Sequence, residues 1–180
     1  LFAREGHALL LDCRDLSYEQ VPLPRGAAIV VCDTKKRRGL VDSEYNTRRA
    51  ECAEAARLLG LKSLRDASLN DVKKLSGAIG QRARHVISEN DRVKRAVEAC
   101  KRSDRGHLDD WAILGRLMDE SHASLRDDYA VSCVELDTLV AQLQARNARD
   151  RACPGARMVG GGFGGAVVAL LKTAAFPEYA

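Results

Sequence analysis

The spacing of apolar residues changes several times along the chain, and each change marks an element. Residues 8–13 form a short apolar run, and Val21 sits in a polar stretch beside Pro22 and Pro24. This predicts one strand, then a second short strand or turn. Residues 27–32, β-branched at Ile29, Val30 and Val31, predict another strand. A charged loop follows: Lys35, Lys36, Arg37, Arg38 and Gly39. From Asp42 to Leu59 the spacing becomes helical. Asp42 or Ser43 can cap its start, and Gly60 stands where a terminating glycine belongs. Tyr45, Cys52, Ala56 and Leu59 share one face, so the Tyr45 ring is expected to point inward from the first turn.

Leu69, Val72, Leu75 and Ile79 predict a helix capped by Ser68. Residues 81–103 predict a longer one, with Val86, Ile87, Val93, Val97 and Cys100 inside and its basic residues on a solvated face. From Leu108 to Leu125, the residues Trp111, Leu114, Leu117, Met118 and His122 fall at helical spacing. Ser132 and Glu135 read as a capping box for a helix whose core face is Leu136, Leu139, Val140 and Leu143. The pattern then turns strand-like at residues 156–159, passes through Gly160 to Gly165, and ends in the apolar run 166–171. Several helices between flanking strands predict an α+β fold.

Composition narrows the function. With 46% hydrophobic and 30% charged residues in 180, the chain can build the core of one domain or slightly more. A net charge of +4 with only 4% aromatics argues against a nucleic-acid surface and suits an anionic small substrate such as a nucleotide. The six cysteines show no CxxC spacing, so they are expected to be free, buried thiols of a reducing cytosol, without a metal site. No apolar run approaches the about 20 residues needed to span a bilayer, and no signal peptide is visible. The chain begins at Leu1, not Met, and stops soon after a strand-like run. It is therefore expected to be a piece of a longer protein.

Three segments carry candidate chemistry. In GGGFGG, residues 160–165, successive N–H groups can form a nest for anionic oxygens, while a tight turn between two strands is the plainer reading. Gly160, Gly162 and Gly165 match GxGxxG, but the dinucleotide fingerprint needs a helix straight after the glycines, and here a strand follows. No Gly-Lys-Ser/Thr follows either, so this is not a Walker loop. In residues 42–49, an inward Tyr45 could place its hydroxyl in a pocket or simply join the core. In residues 120–129 a Ser-His-Asp hydrolase is conceivable, but adjacent Ser121 and His122 diverge on a helix and no nucleophile elbow appears. A structural polar cluster is expected there.

Taken in order, SEYNTRR (residues 43–49), ESHASLRDDY (residues 120–129) and ARMVGGGFGG (residues 156–165) resemble galactokinases of the GHMP kinase superfamily. RARHVISEN (residues 82–90) and HALLLDCRDL (residues 7–16) extend the similarity over nearly the whole chain. The resemblance implies a GHMP C-terminal domain over residues 26–180, helices packed on a mostly antiparallel sheet with a ferredoxin-like core. Residues 1–25 would be a remnant of the N-terminal domain or inter-domain strands. It implies ATP-dependent phosphorylation of α-D-galactose at the C1 hydroxyl, with Mg²⁺. An N-acetylgalactosamine kinase, or a non-catalytic galactokinase-like regulator, is the alternative.

The resemblance assigns sugar contact to Tyr45, with Arg37 near the sugar. It assigns the nucleotide site to Gly160, Gly161, Gly162, Phe163, Gly164 and Gly165. The family's sugar-recognition motif, its phosphate loop and its catalytic aspartate would all precede Leu1. This stretch therefore holds no catalytic base, and its partner is the missing N-terminal domain. The implied protein is a cytoplasmic monomer that binds neither nucleic acid nor membrane. The chain departs from the family pattern at Val159 (usually Thr), Ala166 (commonly Cys), Val134 (often Pro) and Asp33-Thr34 (commonly Asn-Ser). Loss of the Thr hydroxyl at Val159 would weaken nucleotide binding.

Overall fold

The computed structural model describes residues 2, 4–37, 41–104 and 110–175. Strands β1 (His7–Leu11) and β2 (Tyr18–Pro22) form an antiparallel hairpin with Leu9 opposite Gln20. Strand alternation turns Leu10 and Val21 inward and leaves Leu9, Leu11 and Tyr18 exposed. Ion pairs Arg14–Asp66 and Arg65–Asp12 tie the hairpin loop to a 3-10 turn at Leu64–Asp66.

A second sheet holds β3 (Ala27–Asp33), β4 (Gly155–Val159) and β5 (Ala166–Lys172) in the order β3-β5-β4, antiparallel throughout. The continuous apolar run of β5 follows from its central place. The helices are α1 (Val41–Leu58), α2 (Leu69–Val72), α3 (Gly77–Asp104), α4 (Asp110–Asp127) and α5 (Val134–Asp150). The result is the expected α+β class.

Three apolar clusters hold these elements together. One joins α5, β4 and β5 through Leu136, Val140, Met158 and Val167. A second joins the hairpin, α3, α4 and β5 through Val21, Cys100, Trp111, Leu114 and Leu170. The third packs α1 on α3 through Ala55, Ala56, Ala83 and Ile87, under Leu64 and Val72. Helix α1 ends as expected: Gly60, at φ +69°, donates to the Arg57 carbonyl at 3.0 Å, and Leu61 donates to Ala56 at 2.9 Å.

Several expectations need correction. The helix predicted over residues 69–79 is broken. Ser68 donates both its N–H and its hydroxyl to Asp71, giving one turn of α2, and Gly77 at φ +57° redirects the chain into α3. The N-cap of α5 is Cys133, not Ser132. The Ser132 hydroxyl instead donates to Asp137 at 2.5 Å, and Glu135 pairs with Lys36 at 2.9 Å. Val93 is 41% exposed, at the margin of the α3 core face. Tyr45 does not point inward; it is 55% exposed. Arg48, one turn later on the same side of α1, takes the inward position and fills it with its guanidinium. Arg38, Gly39, Leu108 and the side chains of Asp42 and Ser43 lie outside the described residues.

Helix α4 covers the outer edge of β4. Gly115 and Gly155 meet backbone to backbone: a Cβ on Gly115 would stand 2.0 Å from the Pro154 carbonyl oxygen. From there the two elements run in step. Residues 115 to 122 rise about 10.5 Å on a helix, and residues 155 to 158 about 10 Å on a strand. Thus Asp119 accepts the outward N–H of Ala156 at 3.1 Å, and His122 Nδ1 accepts that of Met158 at 3.3 Å.

Candidate active site at the glycine bend

Val159 and Ala166 pair across the end of the β4–β5 ladder, and residues 160–165 close it. The tight-turn reading therefore describes the segment. Phe163 donates its N–H to the Val131 carbonyl at 2.7 Å, and Gly165 donates to Lys36 at 3.1 Å. Gly162 lies at φ +82°, and a Cβ there would sit 2.1 Å from the Val131 oxygen. Gly164 lies at φ +134°, 2.7 Å by the same measure from the Lys36 oxygen. Only glycine permits both approaches. Phe163 itself adopts φ +59°, held by its half-buried ring against the cluster of Leu125, Leu136 and Met158. Among the described residues, the N–H groups of Gly161, Gly162 and Gly164 have no hydrogen-bond partner.

Two segments clamp this bend. On one side is the basic loop after β3, where Thr34 donates its N–H to the Gly165 carbonyl at 2.9 Å. Lys36 pairs with Glu135 and holds its carboxyl down to about 2, while Lys35 pairs with Asp33 at 3.1 Å. Arg37, next in line, is exposed. On the other side are residues 128–131, just after α4. Arg48 donates to the carbonyls of Tyr129 (2.8 Å) and Ala130 (3.0 Å), and Arg82 donates to Asp128 O and to Glu51 at 2.8 Å. The Tyr129 ring stacks on His85 at 4.5 Å, and burial pushes its hydroxyl well above the ordinary tyrosine value.

The sequence-predicted residues thus gather at one end of the sheet. Arg37 adjoins Lys36, which holds Gly165. Tyr45 lies one turn before Arg48, whose guanidinium holds the segment that receives Phe163. Arg37 and Tyr45 are both exposed. Two clefts of about 650 Å³ lie elsewhere: one under α2 beside Leu69, Leu75 and Arg84, the other between α4 and α5 beside Trp111, Arg116 and Arg151.

The cluster at residues 120–129 is structural, as expected. Ser121 donates to Glu89 at 2.6 Å and diverges from His122. Ser124 does meet a histidine, His85, at 3.0 Å. The Ser124 hydroxyl donates to Asp128, so His85 is left to donate to it and nothing activates the oxygen. Burial pushes His85 down to about 4.

Residues 96–176 match the family model described as GHMP kinases C terminal. Over 98% of its length the chain is 46% identical to a galactokinase of Thermotoga neapolitana, covering 48% of that protein. It is 44% identical over 97% of its length to a galactokinase of Chloroflexus aggregans, covering 44% of it. A Lactococcus lactis galactokinase, solved in complex with galactose, superposes with a TM-score of 0.83 at 35% identity, over 97% of this chain and 45% of that one. Residues 96–176 thus match the C-terminal domain shared by GHMP kinases. It spans about half the length of the curated relatives it matches. The L. major mevalonate kinase, at 19% identity and a TM-score of 0.53, shares the fold.

Within this fold, pattern reading missed the residues that hold the bend. Arg82 was read with the solvated basic residues of its helix, and Arg48 was given no place. The signal that could have found them is that Arg48 and Glu51, then Arg82, lie on the apolar sides of α1 and α3. His122 was legible as a core residue but not as the acceptor for β4. No helix among the described residues is long and apolar enough to cross a membrane.

Proposed function

We propose that this chain is the C-terminal part of a galactokinase that transfers the γ-phosphoryl group of ATP to the C1 hydroxyl of galactose. One observation carries the reading: the near end-to-end match to galactokinases, 46% identical over 98% of the chain. The geometry supports it, because the uncommitted amides of Gly161, Gly162 and Gly164 suit the phosphate oxygens of a nucleotide. Gly160, Phe163 and Gly165 shape the same turn. ATP, when bound, supplies the phosphoryl group. Exposed Tyr45 offers its hydroxyl to the sugar, with Arg37 beside the same surface.

Among the described residues no three His, Cys, Asp or Glu side chains cluster to hold a metal ion. We assign the Mg²⁺ contacts to the nucleotide and to the part of the protein outside this chain, with the phosphate loop and the aspartate that orients the C1 hydroxyl. That N-terminal domain covers the exposed Leu9, Leu11, Tyr18, Ile29 and Val31. Residues 1–25 are a remnant of it or inter-domain strands, and residues 26–180 form the C-terminal domain. The full protein is a cytoplasmic monomer. The test is galactose-dependent ADP formation by the full-length protein. In Tyr45→Phe, loss of one neutral hydrogen bond raises the galactose KM about three- to tenfold and leaves the ATP KM unchanged. Absence of galactose-dependent turnover overturns the function; an unchanged galactose KM overturns the role of Tyr45.

A further inference from the structure

The bend is joined to two paired strands, yet neither strand alone fixes its height above the sheet. β5 is held between β3 and β4, whereas β4 is an edge strand whose outward amides need partners from elsewhere. Helix α4 supplies them. His122, 3% exposed, turns Nδ1 to the Met158 N–H at 3.3 Å. That nitrogen must be unprotonated to accept, so the ring proton sits on Nε2, which lies 3.2 Å from Asp137 Oδ1 though off the line of a well-formed hydrogen bond. Asp137 in turn receives the Ser132 hydroxyl at 2.5 Å.

Both branches lead to the bend. Met158 is fully buried, and its terminal methyl would stand 3.0 Å from a Cβ on Gly162, so it forms the floor beneath that glycine. Ser132 follows Val131, whose carbonyl receives Phe163 and faces Gly162. One imidazole therefore touches the strand that enters the bend and, through Asp137, the segment that clamps it.

We infer that His122 is a positioning residue, which sets the place of the Gly161, Gly162 and Gly164 amides by holding Met158 and Asp137 at once. As regards the nucleotide, the inference rests on the function proposed above; as regards the bend, it stands on geometry alone. The experiment uses the full-length protein with His122→Leu, His122→Asn and His122→Gln. Asparagine places an acceptor near Nδ1; glutamine reaches toward Asp137 without it; leucine offers neither. Two measurements are made: amide hydrogen exchange across residues 158–165, and steady-state KM for ATP and for galactose.

The expected result is that Leu and Gln speed exchange across residues 158–165 and raise the ATP KM, each about tenfold, with galactose KM within about twofold, while Asn stays near wild type. A purely structural role would lower melting temperature without moving the ATP KM of the folded enzyme. Should Leu not fold, the Asn–Gln pair decides. Equal behaviour of Asn and Gln in both measurements overturns the inference, as does a parallel rise in both KM values. A wild-type enzyme without nucleotide-dependent turnover would sink the proposed function, and hydrogen exchange would still decide the role of His122.

Discussion

Gly162→Ala probes the bend most directly. The new methyl would stand 2.1 Å from the Val131 carbonyl oxygen, 2.8 Å from the Val131 Cβ and 3.0 Å from the Met158 methyl. Ordinary contact begins near 3.4 Å, so the Val131 carbonyl and the bend must part by more than about 1 Å. That separation breaks the 2.7 Å hydrogen bond from Phe163 and leaves a carbonyl poorly partnered, at about 1–3 kcal/mol. Holding alanine at φ +82° adds about 1–2 kcal/mol. The total is about 2–5 kcal/mol. Gly60→Ala isolates the backbone part, because Gly60 sits at φ +69° with nothing within 4 Å of its Cβ position. It should cost about 1 kcal/mol. Urea unfolding of the two full-length variants compares them directly. If Gly162→Ala shifts the midpoint no more than Gly60→Ala does, the close approach to Val131 does not constrain the bend.

Arg82→Leu strips partners from Glu51 and from the Asp128 carbonyl, and should destabilise by about 3 kcal/mol. Arg84→Leu, on the exposed side of the same helix, should stay within about 0.5 kcal/mol in the same unfolding assay. His85 gives a pH signature. Its folded value, about 4 against the ordinary 6.5, means that the neutral form is the one the fold accepts. Stability is therefore full above pH 6.5 and declines as pH falls toward 4, by up to about 3 kcal/mol. Unfolding midpoints measured across that window should fall for wild type and flatten in His85→Phe, which keeps the stack on Tyr129.

Strands and helices were legible where one period ruled. The β-branched run Ile29–Val30–Val31 and the spacing of Leu136, Val140 and Leu143 led straight to β3 and α5. Residues 69–79 misled because apolar spacing continues across Ser76-Gly77, where a positive φ interrupts the helix. Ser132 misled because a capping pattern cannot show that a carboxylate five residues on competes for the hydroxyl. Tyr45 misled for a related reason: face assignment does not say which side chain on that face is long enough to fill the space, and Arg48 was. The glycine bend stood out because so many positive-φ positions admit few other residues. Its clamps did not, since Val131 and Lys36 act through backbone oxygens that carry no sequence signature.

The seal that α4 places along β4 has a consequence for assembly. With the amides of Ala156 and Met158 already bonded to Asp119 and His122, no incoming strand can add there. Among the described residues, β3 has no such cover on its far side, and its Ile29 and Val31 stand in solvent. A sheet with two open margins can polymerise into a ribbon. This sheet has one. Any further strand is thereby steered to the β3 side, the side whose Ile29 and Val31 the N-terminal domain is proposed to cover, and the face beside the bend stays free of competing pairing.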